Sequence, residues 1–127
     1  MLDFLNILEN LNIRYVSWKN NHQIDLAIAG KTDLDILVSG ISYGDFVPLA
    51  RQHNWLELEN PVAVYPSVKH FYKISAEGIV WHLHIYFSMI TGESWLKEFD
   101  LPIADFLMDH RKQENTFGLW VLKQKAQ

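Results

Sequence analysis

The stretch Gly30-Lys31-Thr32-Asp33-Leu34-Asp35-Ile36-Leu37-Val38 decides the fold prediction. Acidic and aliphatic side chains alternate from Asp33 to Val38, which is the period of a β-strand with one apolar face. Asp33 and Asp35 therefore share the other face, about 6–7 Å apart at the backbone, because a strand rises about 3.3 Å per residue. Two carboxylates at this spacing can bind one hard cation of the kind used in phosphoryl transfer. A solvated strand face produces the same pattern, so these nine residues leave both interpretations open.

A second stretch, Ile79 to Phe87, repeats this arrangement with different chemistry. On one face it places Val80, His82, His84 and Tyr86, and on the other Trp81, Leu83, Ile85 and Phe87. If the two strands are neighbours, the imidazoles and the carboxylates meet across the sheet at the strand spacing of about 5 Å. Histidines on an ordinary amphipathic strand are the alternative interpretation.

Between and around these strands, the hydrophobic periodicity predicts the other elements. It predicts helices over 2–11, 23–29, 43–53 and 103–111, and strands over 13–19, 33–38, 55–58, 68–74 and 79–87. Gly30 is expected just after the second helix, and Pro48 moves the expected start of the third to Gly44 or Asp45. Residues 60–66 and 90–102 are predicted to be loop or irregular, and 116–122 fit a strand or a helix.

This order of elements predicts an α+β fold, an α/β sandwich with a mixed β-sheet and helices packed mainly on one face. The length of 127 residues fits one domain over residues 1–127, and leaves open whether the natural chain is longer. The absence of cysteine excludes disulfides and thiolate metal sites and fits a reducing compartment.

Charge and hydropathy narrow the expected partners. The formal net charge of −4 argues against general nucleic-acid binding, which needs clustered Lys and Arg. No run of about 18 apolar residues is present, so no membrane span is expected. The N-terminus lacks the basic segment of a signal peptide, and we therefore expect a cytoplasmic protein. Lys19 and Lys31 lie near the predicted strand ends, where they can contact a phosphate or remain solvated.

The joint order of these segments resembles the nucleotidyltransferase superfamily. The resemblance covers about residues 13–102, through Arg14-Tyr15-Val16-Ser17-Trp18-Lys19-Asn20-Asn21, Ala27 to Val38, His82-Leu83-His84-Ile85-Tyr86, Thr91-Gly92-Glu93 and Leu101-Pro102. The chain is most similar to nucleotidyltransferase-like domains associated with bacterial surface-polysaccharide genes.

The resemblance implies a nucleotidyltransferase-like mixed sheet and a metal-dependent reaction. Asp33 and Asp35 would hold Mg²⁺ or Mn²⁺ on a nucleoside triphosphate, whose α-phosphate is attacked by an acceptor hydroxyl while pyrophosphate leaves. Ser17 and Lys19 stand where the family has a Gly-Ser pair, and together with Lys31 they would contact the phosphates. The position of the family's third carboxylate aligns with His82.

A histidine at that position changes the expected chemistry. His82, or less favourably His84, would be the third metal ligand or the base, and Mn²⁺ or Zn²⁺ suits an Asp-Asp-His set better than Mg²⁺. The alternative function is a catalytically inactive module of the same fold that binds a nucleotide, a nucleotide-sugar or a partner protein. A third hypothesis is a hydrolytic transition-metal site. The sequence does not identify the acceptor, the nucleotide or the oligomeric state.

Overall fold

A computed structural model describes residues 1–19, 21–58, 68–87 and 106–123, and every structural statement below concerns these residues. The helices are α1 (Leu2–Asn10), a 3₁₀ helix (Asn21–Gln23), α2 (Ile24–Ile28) and α3 (Tyr43–Gln52), and residues 106–109 are also helical. The strands are β1 (Arg14–Ser17), β2 (Leu34–Ser39), β3 (Leu56–Glu57), β4 (Val68–Ile74), β5 (Val80–Phe87), β6 (Arg111–Gln113) and β7 (Trp120–Leu122).

The seven strands form one mixed sheet in the order β3-β4-β5-β2-β1-β7-β6. β2 pairs in parallel with β5, and β1 pairs in parallel with β7, while the other neighbours are antiparallel. The predicted mixed α+β architecture is therefore confirmed at this level. β2 lies at the centre of the sheet. One of its faces contributes apolar side chains to the main core, and the other carries Asp35.

The main core lies between the helices and one face of the sheet. The alternating apolar residues of β2 and β5 supply the sheet side, and α1, α2 and α3 supply the other side, through Leu34, Ile36, Val38, Leu83, Ile85, Phe4, Leu8, Ile24, Ala27, Phe46 and Ala50. Full burial of one such large aliphatic side chain contributes about 1.5–3 kcal/mol. These three helices therefore pack on the same face, as the sequence predicts.

We call the face opposite α1, α2 and α3 the second face of the sheet. Its apolar part is a smaller cluster in which Val16, Leu37 and Tyr86 pack with Met108 from the helical residues 106–109. The rest of this face, on the β4 side, is where the polar residues of β2 and β5 lie. No helix of the described residues is long and apolar enough to cross a membrane.

Several predicted boundaries differ from the structure for local reasons. The predicted late start of α3 is wrong, because the Ser42 side chain accepts a hydrogen bond from Asp45 N and caps a helix that begins at Tyr43, with Pro48 inside it. The predicted helix over 103–111 ends too late, because Arg111 already begins β6. The segment 116–122 contains a strand, β7. The predicted loop 60–66 and the irregular segment 90–102 lie outside the described residues.

Candidate metal centre

The two aspartates lie on the second face of the sheet, beside β5. Asp35 is the second residue of β2, and in the parallel pairing of β2 with β5 it lies opposite His84. Asp33 comes directly before β2, and Tyr86 follows His84 on the same face of β5. The alternation of side chains along both strands therefore brings two carboxylates, one imidazole and one phenol together.

Their contacts centre on one ring nitrogen. His84 Nδ1 lies 2.8 Å from Asp33 Oδ2 and 3.2 Å from Asp35 Oδ1. The Tyr86 hydroxyl donates a hydrogen bond of 3.0 Å to the same Asp35 oxygen. Asp35 is only 5% exposed, whereas the Asp33 side chain is 28% exposed. The pair thus has one buried member that fixes the geometry and one member that solvent and ligands can reach.

The surroundings keep Asp35 ionised in spite of its burial. Burial acts to raise the pKa of this carboxyl, but the hydrogen bonds from His84 and Tyr86 and the charges of His84 and Lys19 together outweigh burial and lower the pKa below the usual value. Burial and the neighbouring Asp35 raise the pKa of Tyr86 far above its usual value. Near pH 7 the arrangement is therefore an anionic Asp35 held by a protonated phenol, which suits a cation site.

A second group consists of three histidines beside the carboxylates. His70 Nδ1 lies 3.2 Å from His82 Nε2, and the ring of His84 lies 4.3 Å from each of the other two rings, centroid to centroid. Tyr72 stacks on His82 at a centroid distance of 4.2 Å. Burial, followed by the charge of His84, lowers the pKa of His82 to about 4 and also lowers that of His70. Both rings are therefore neutral near pH 7.

Two sets of three residues in this region have metal-ligating atoms within 4.8 Å of one another. One is Asp33, Asp35 and His84, and the other is His70, His82 and His84. The sequence favours His82 over His84 as the third ligand beside the carboxylates, whereas His84 is the histidine that contacts them in the structure. The reason is the register, because the β2–β5 pairing begins at Leu34 opposite Leu83, so the buried Asp35 lies opposite His84 rather than His82.

Sequence reasoning missed His70. The sequence does contain a pattern that indicates it, because Val68, His70 and Tyr72 alternate in β4 as His82 and His84 do in β5. The turn at residues 75–78 fixes an antiparallel register in which His70 lies opposite His84 and Tyr72 opposite His82. The pattern of one strand does not reveal the cluster, but the two strands of the hairpin taken together do.

The three predicted phosphate contacts have different surroundings. The Lys19 ammonium lies over the rings of Trp18 and Tyr86, 4.4 and 5.2 Å from their centroids, and its charge acts on Asp35. Ser17 does not face the carboxylates, because it is buried and its hydroxyl donates to Asn21 Oδ1 at 2.7 Å. Lys31 is exposed in the turn before β2 and forms no ion pair with a described carboxylate.

An open cleft of about 540 Å³ lies elsewhere, between the α2 region and the β6–β7 hairpin. Asn21, Ile24, Glu114, Phe117 and Leu122 are among the residues that line it. None of the candidate metal ligands lines this cleft, so its shape has no direct part in the site.

The donor set limits the metals that fit. Asp33 and Asp35 offer the oxygen ligands that Mg²⁺ and Mn²⁺ prefer, and the imidazole of His84 shifts the preference toward Mn²⁺ or Zn²⁺. The residues therefore fit a divalent cation, with two carboxylates and one nitrogen as ligands. In the comparisons with known proteins, no family model matches the chain, and no curated protein or solved structure matches it significantly.

Proposed function

We propose that this chain is a metal-dependent nucleotidyltransferase with a nucleotidyltransferase-like fold. It would transfer a nucleoside monophosphate from a nucleoside triphosphate to an acceptor hydroxyl and release pyrophosphate. The supporting observation is that Asp33, Asp35 and His84 converge within 4.8 Å on the central strands of a mixed sheet. The similarity in sequence to domains associated with surface-polysaccharide genes favours a role in polysaccharide biosynthesis in the cytoplasm.

Asp33 and Asp35 would bind the cation, Mg²⁺ or Mn²⁺, with Zn²⁺ as the third option. A bound cation would neutralise charge on the triphosphate and orient the α-phosphate for in-line attack. Asp35 is suited to be the rigid metal ligand, because Tyr86 and His84 hold its carboxylate in place. Asp33 is suited to contact the ligand, because its side chain is the more exposed of the two.

We assign the role of third metal ligand, beside Asp33 and Asp35, to His84 rather than His82. His84 Nδ1 already contacts both carboxylates and can serve as a ligand once its proton has left. A general base works best with a pKa near the working pH, and a pKa of about 4 makes His82 a weak proton acceptor at pH 7. His82 is therefore a weak candidate for the base, and His84 cannot take that role while Nδ1 binds the metal, because Nε2 then carries the proton.

Lys19 is the residue best placed to bind phosphate. Its ammonium lies beside Asp35 over the rings of Trp18 and Tyr86, so a triphosphate bound at the carboxylates would lie within reach of its charge. Ser17 faces away from the carboxylates and donates to Asn21, so it is not assigned a phosphate contact. Lys31 stays a candidate through its position in the turn that leads into β2.

The second candidate function is a catalytically inactive module that binds a nucleotide, a nucleotide-sugar or a partner protein. One observation favours it: the N–H at Nδ1 of His84 lies between the two carboxylates and can hydrogen-bond to them without a cation. Such contacts stabilise the strand pairing without any chemistry. The two candidates differ in whether a divalent cation displaces this proton.

Calorimetry of nucleoside triphosphate binding, with and without Mn²⁺ or Mg²⁺, tests the proposal directly. We expect metal-dependent binding and pyrophosphate release by the wild type, and loss of both in Asp33→Asn. Asp45→Asn is the matched control, because Asp45 is an exposed aspartate at the start of α3. Binding without pyrophosphate release with every acceptor tried would favour the inactive module. If neither metal nor nucleoside triphosphate binds, the nucleotidyltransferase proposal is wrong, and of the second candidate only the binding of a nucleotide-sugar or a partner protein is left.

A further inference from the structure

We propose that His70, His82 and His84 form a transition-metal site of their own, selective for Zn²⁺ over Mg²⁺, and that Asp33 and Asp35 hold His84 in position for it. This site goes beyond the nucleotidyl-transfer proposal. It uses two histidines that the carboxylate site does not use, and a different class of metal. The two sites share His84, and they use Asp33 and Asp35 in different roles.

The strand register brings the three imidazoles together. In the antiparallel β4–β5 pairing, His70 lies opposite His84, and His82 is two residues from His84 on the same face. The rings form a triangle with centroid distances of 4.3, 4.3 and 5.4 Å. All three residues are partly exposed, so an ion from solvent can reach them. The grouping follows from the backbone pairing of β4 with β5 and not from a loop.

The spacing of the ring nitrogens fits a tetrahedral ion. Zn–N bonds of about 2.0–2.1 Å at tetrahedral angles place two ligand nitrogens about 3.3 Å apart. His70 Nδ1 and His82 Nε2 are separated by 3.2 Å. A hydrogen bond between the two rings has the same length, and an ion would replace the one proton that the two nitrogens share. One ring nitrogen of His84 lies within 4.8 Å of a ligating nitrogen of each of the other two histidines, and a movement of the side chains would complete the set.

The orientation of His84 matches the second shell of many zinc sites. A metal-bound histidine usually gives its other ring N–H to a carboxylate, which fixes the tautomer and raises the basicity of the ligating nitrogen. Here Nδ1 contacts Asp33 Oδ2 and Asp35 Oδ1, so Nε2 is the nitrogen left to bind a metal. On the other side of the cluster, the Tyr72 ring stacks on His82 with an interplanar angle of 19° and holds that ring in place.

Ligand chemistry determines the metal. Three imidazoles favour Zn²⁺ and its neighbours Co²⁺, Ni²⁺ and Cu²⁺, whereas Mg²⁺ favours oxygen ligands. Three protein ligands leave a fourth position for water or a ligand. Because His84 cannot donate from Nδ1 and coordinate a metal through Nδ1 at the same time, the histidine site uses the carboxylates as hydrogen-bond acceptors. The carboxylate site uses them as ligands.

Titration of the chelator-treated full chain with Zn²⁺, and with Co²⁺ as a spectroscopic probe, tests this site. We expect Zn²⁺ to bind at one equivalent and Co²⁺ to give the strong visible absorption of a four-coordinate complex. His70→Asn and His82→Asn should each lower the Zn²⁺ affinity by at least 10-fold. His22→Asn is the matched control, because His22 is an exposed histidine in the 3₁₀ helix outside the cluster.

His70→Asn separates this site from the nucleotidyl-transfer site, and Asp33→Asn tests the role of the carboxylates in holding His84. His70→Asn should leave Mn²⁺ and nucleoside triphosphate binding unchanged, and Asp33→Asn should weaken Zn²⁺ binding by about 10–100-fold, as loss of a second-shell carboxylate does. Circular dichroism of each variant confirms that it is folded. If a folded His70→Asn binds Zn²⁺ as tightly as the wild type, or if His22→Asn loses as much affinity, the three-histidine site is wrong. Either result leaves the carboxylate site untouched.

Discussion

Asp35 and His84 lie directly opposite each other in the parallel pairing of β2 with β5, with Asp35 Oδ1 3.2 Å from His84 Nδ1. This relationship explains how a carboxylate with an exposure of 5% stays charged in the centre of a sheet. It also makes His84 the residue on which both proposed sites depend. A change at His84 should therefore affect stability as well as binding.

His84→Ala should destabilise the protein, because it leaves the buried Asp35 carboxylate without its imidazole partner. We expect a loss of about 1–3 kcal/mol in the free energy of unfolding, the range for a buried polar group that loses its partner. The Tyr86 hydroxyl still donates to Asp35, which limits the loss. Urea denaturation measures it, and Asp35→Asn/His84→Ala should recover part of it because the buried charge is then gone. Equal stability of wild type and His84→Ala would contradict the assigned pairing.

The stability should fall as the pH drops from about 6.5 toward 4. The pKa of His82 is lowered from 6.5 to about 4 in the folded chain, so the unfolded chain takes up a proton in this range before the folded chain does. The stabilising contribution of neutral His82 is thus complete above pH 6.5 and is lost as the pH falls. His70 acts in the same direction.

Denaturation midpoints in chelator-containing buffer at a series of pH values measure this dependence. The groups that act on His82 are His84, Asp33, His70 and Asp35, and all of them remain in His82→Gln. That variant should show a flatter profile between pH 6.5 and 4. Below this range the lowered pKa of Asp35 adds a further loss in both proteins, so the comparison belongs above pH 4. An unchanged profile in His82→Gln would count against the burial of its ring.

Gly30→Ala should be strongly destabilising. Gly30 has φ +78°, and an added Cβ would lie 2.5 Å from Ile79 Cγ2 and 3.0 Å from the Val80 carbonyl oxygen. The left-handed backbone alone costs about 1–2 kcal/mol for a residue with a Cβ, and the steric contact with β5 adds to it. Gly44→Ala is the matched control, because its Cβ meets open space in α3 and should gain about 0.5–1 kcal/mol. Thermal melts that rank the two variants the other way would contradict this packing.

Arg111 should be needed for the docking of the C-terminal hairpin. Its guanidinium donates to Glu9 Oε1 at 2.5 Å and to the Tyr15 carbonyl oxygen at 2.9 Å, and it lies 4.1 Å from the Trp120 ring centroid. We expect Arg111→Ala to cost about 1.5–3 kcal/mol, the range for hydrogen bonds to charged groups. Arg111→Lys should recover only part of it, because an ammonium cannot make the planar contacts. Chemical denaturation measures both, and full recovery by lysine would contradict the planar role.

The elements with a strong period could be predicted from the sequence. The alternation in Asp33 to Val38 and Ile79 to Phe87 gives both strands and the face on which their polar residues lie, as the structure confirms. The short strands β6 and β7 have three residues each, too few for a period to show. The pattern of Thr116 to Leu122 therefore fits a strand or a helix, and the sequence alone does not distinguish them.

The candidate site was predictable in outline and not in register. The sequence favours His82 over His84 as the partner of the carboxylates. The patterns of β2 and β5 do not show how the two strands align, and Asp35 and His84 are 49 residues apart in the chain. Ser17 shows a second limit. It was expected at the phosphate, but in β1 it alternates with Val16 and Trp18 and so faces away from the second face. The alternation along β1, and not the polarity of Ser17, determines the face on which its side chain lies.

The pairing of β1 with β7 has a consequence for how the chain folds. Arg111 of β6 contacts Glu9 of α1 across 102 residues of sequence, and Ser17 of β1 pairs with Val121 of β7, so these contacts form only after the intervening residues have been made. Contacts between distant residues slow folding, because the entropy of closing a long loop is lost before the contact forms. During synthesis, β1 would thus remain an open strand edge until the β6–β7 hairpin leaves the ribosome. A chain truncated before residue 111 should consequently aggregate through that edge.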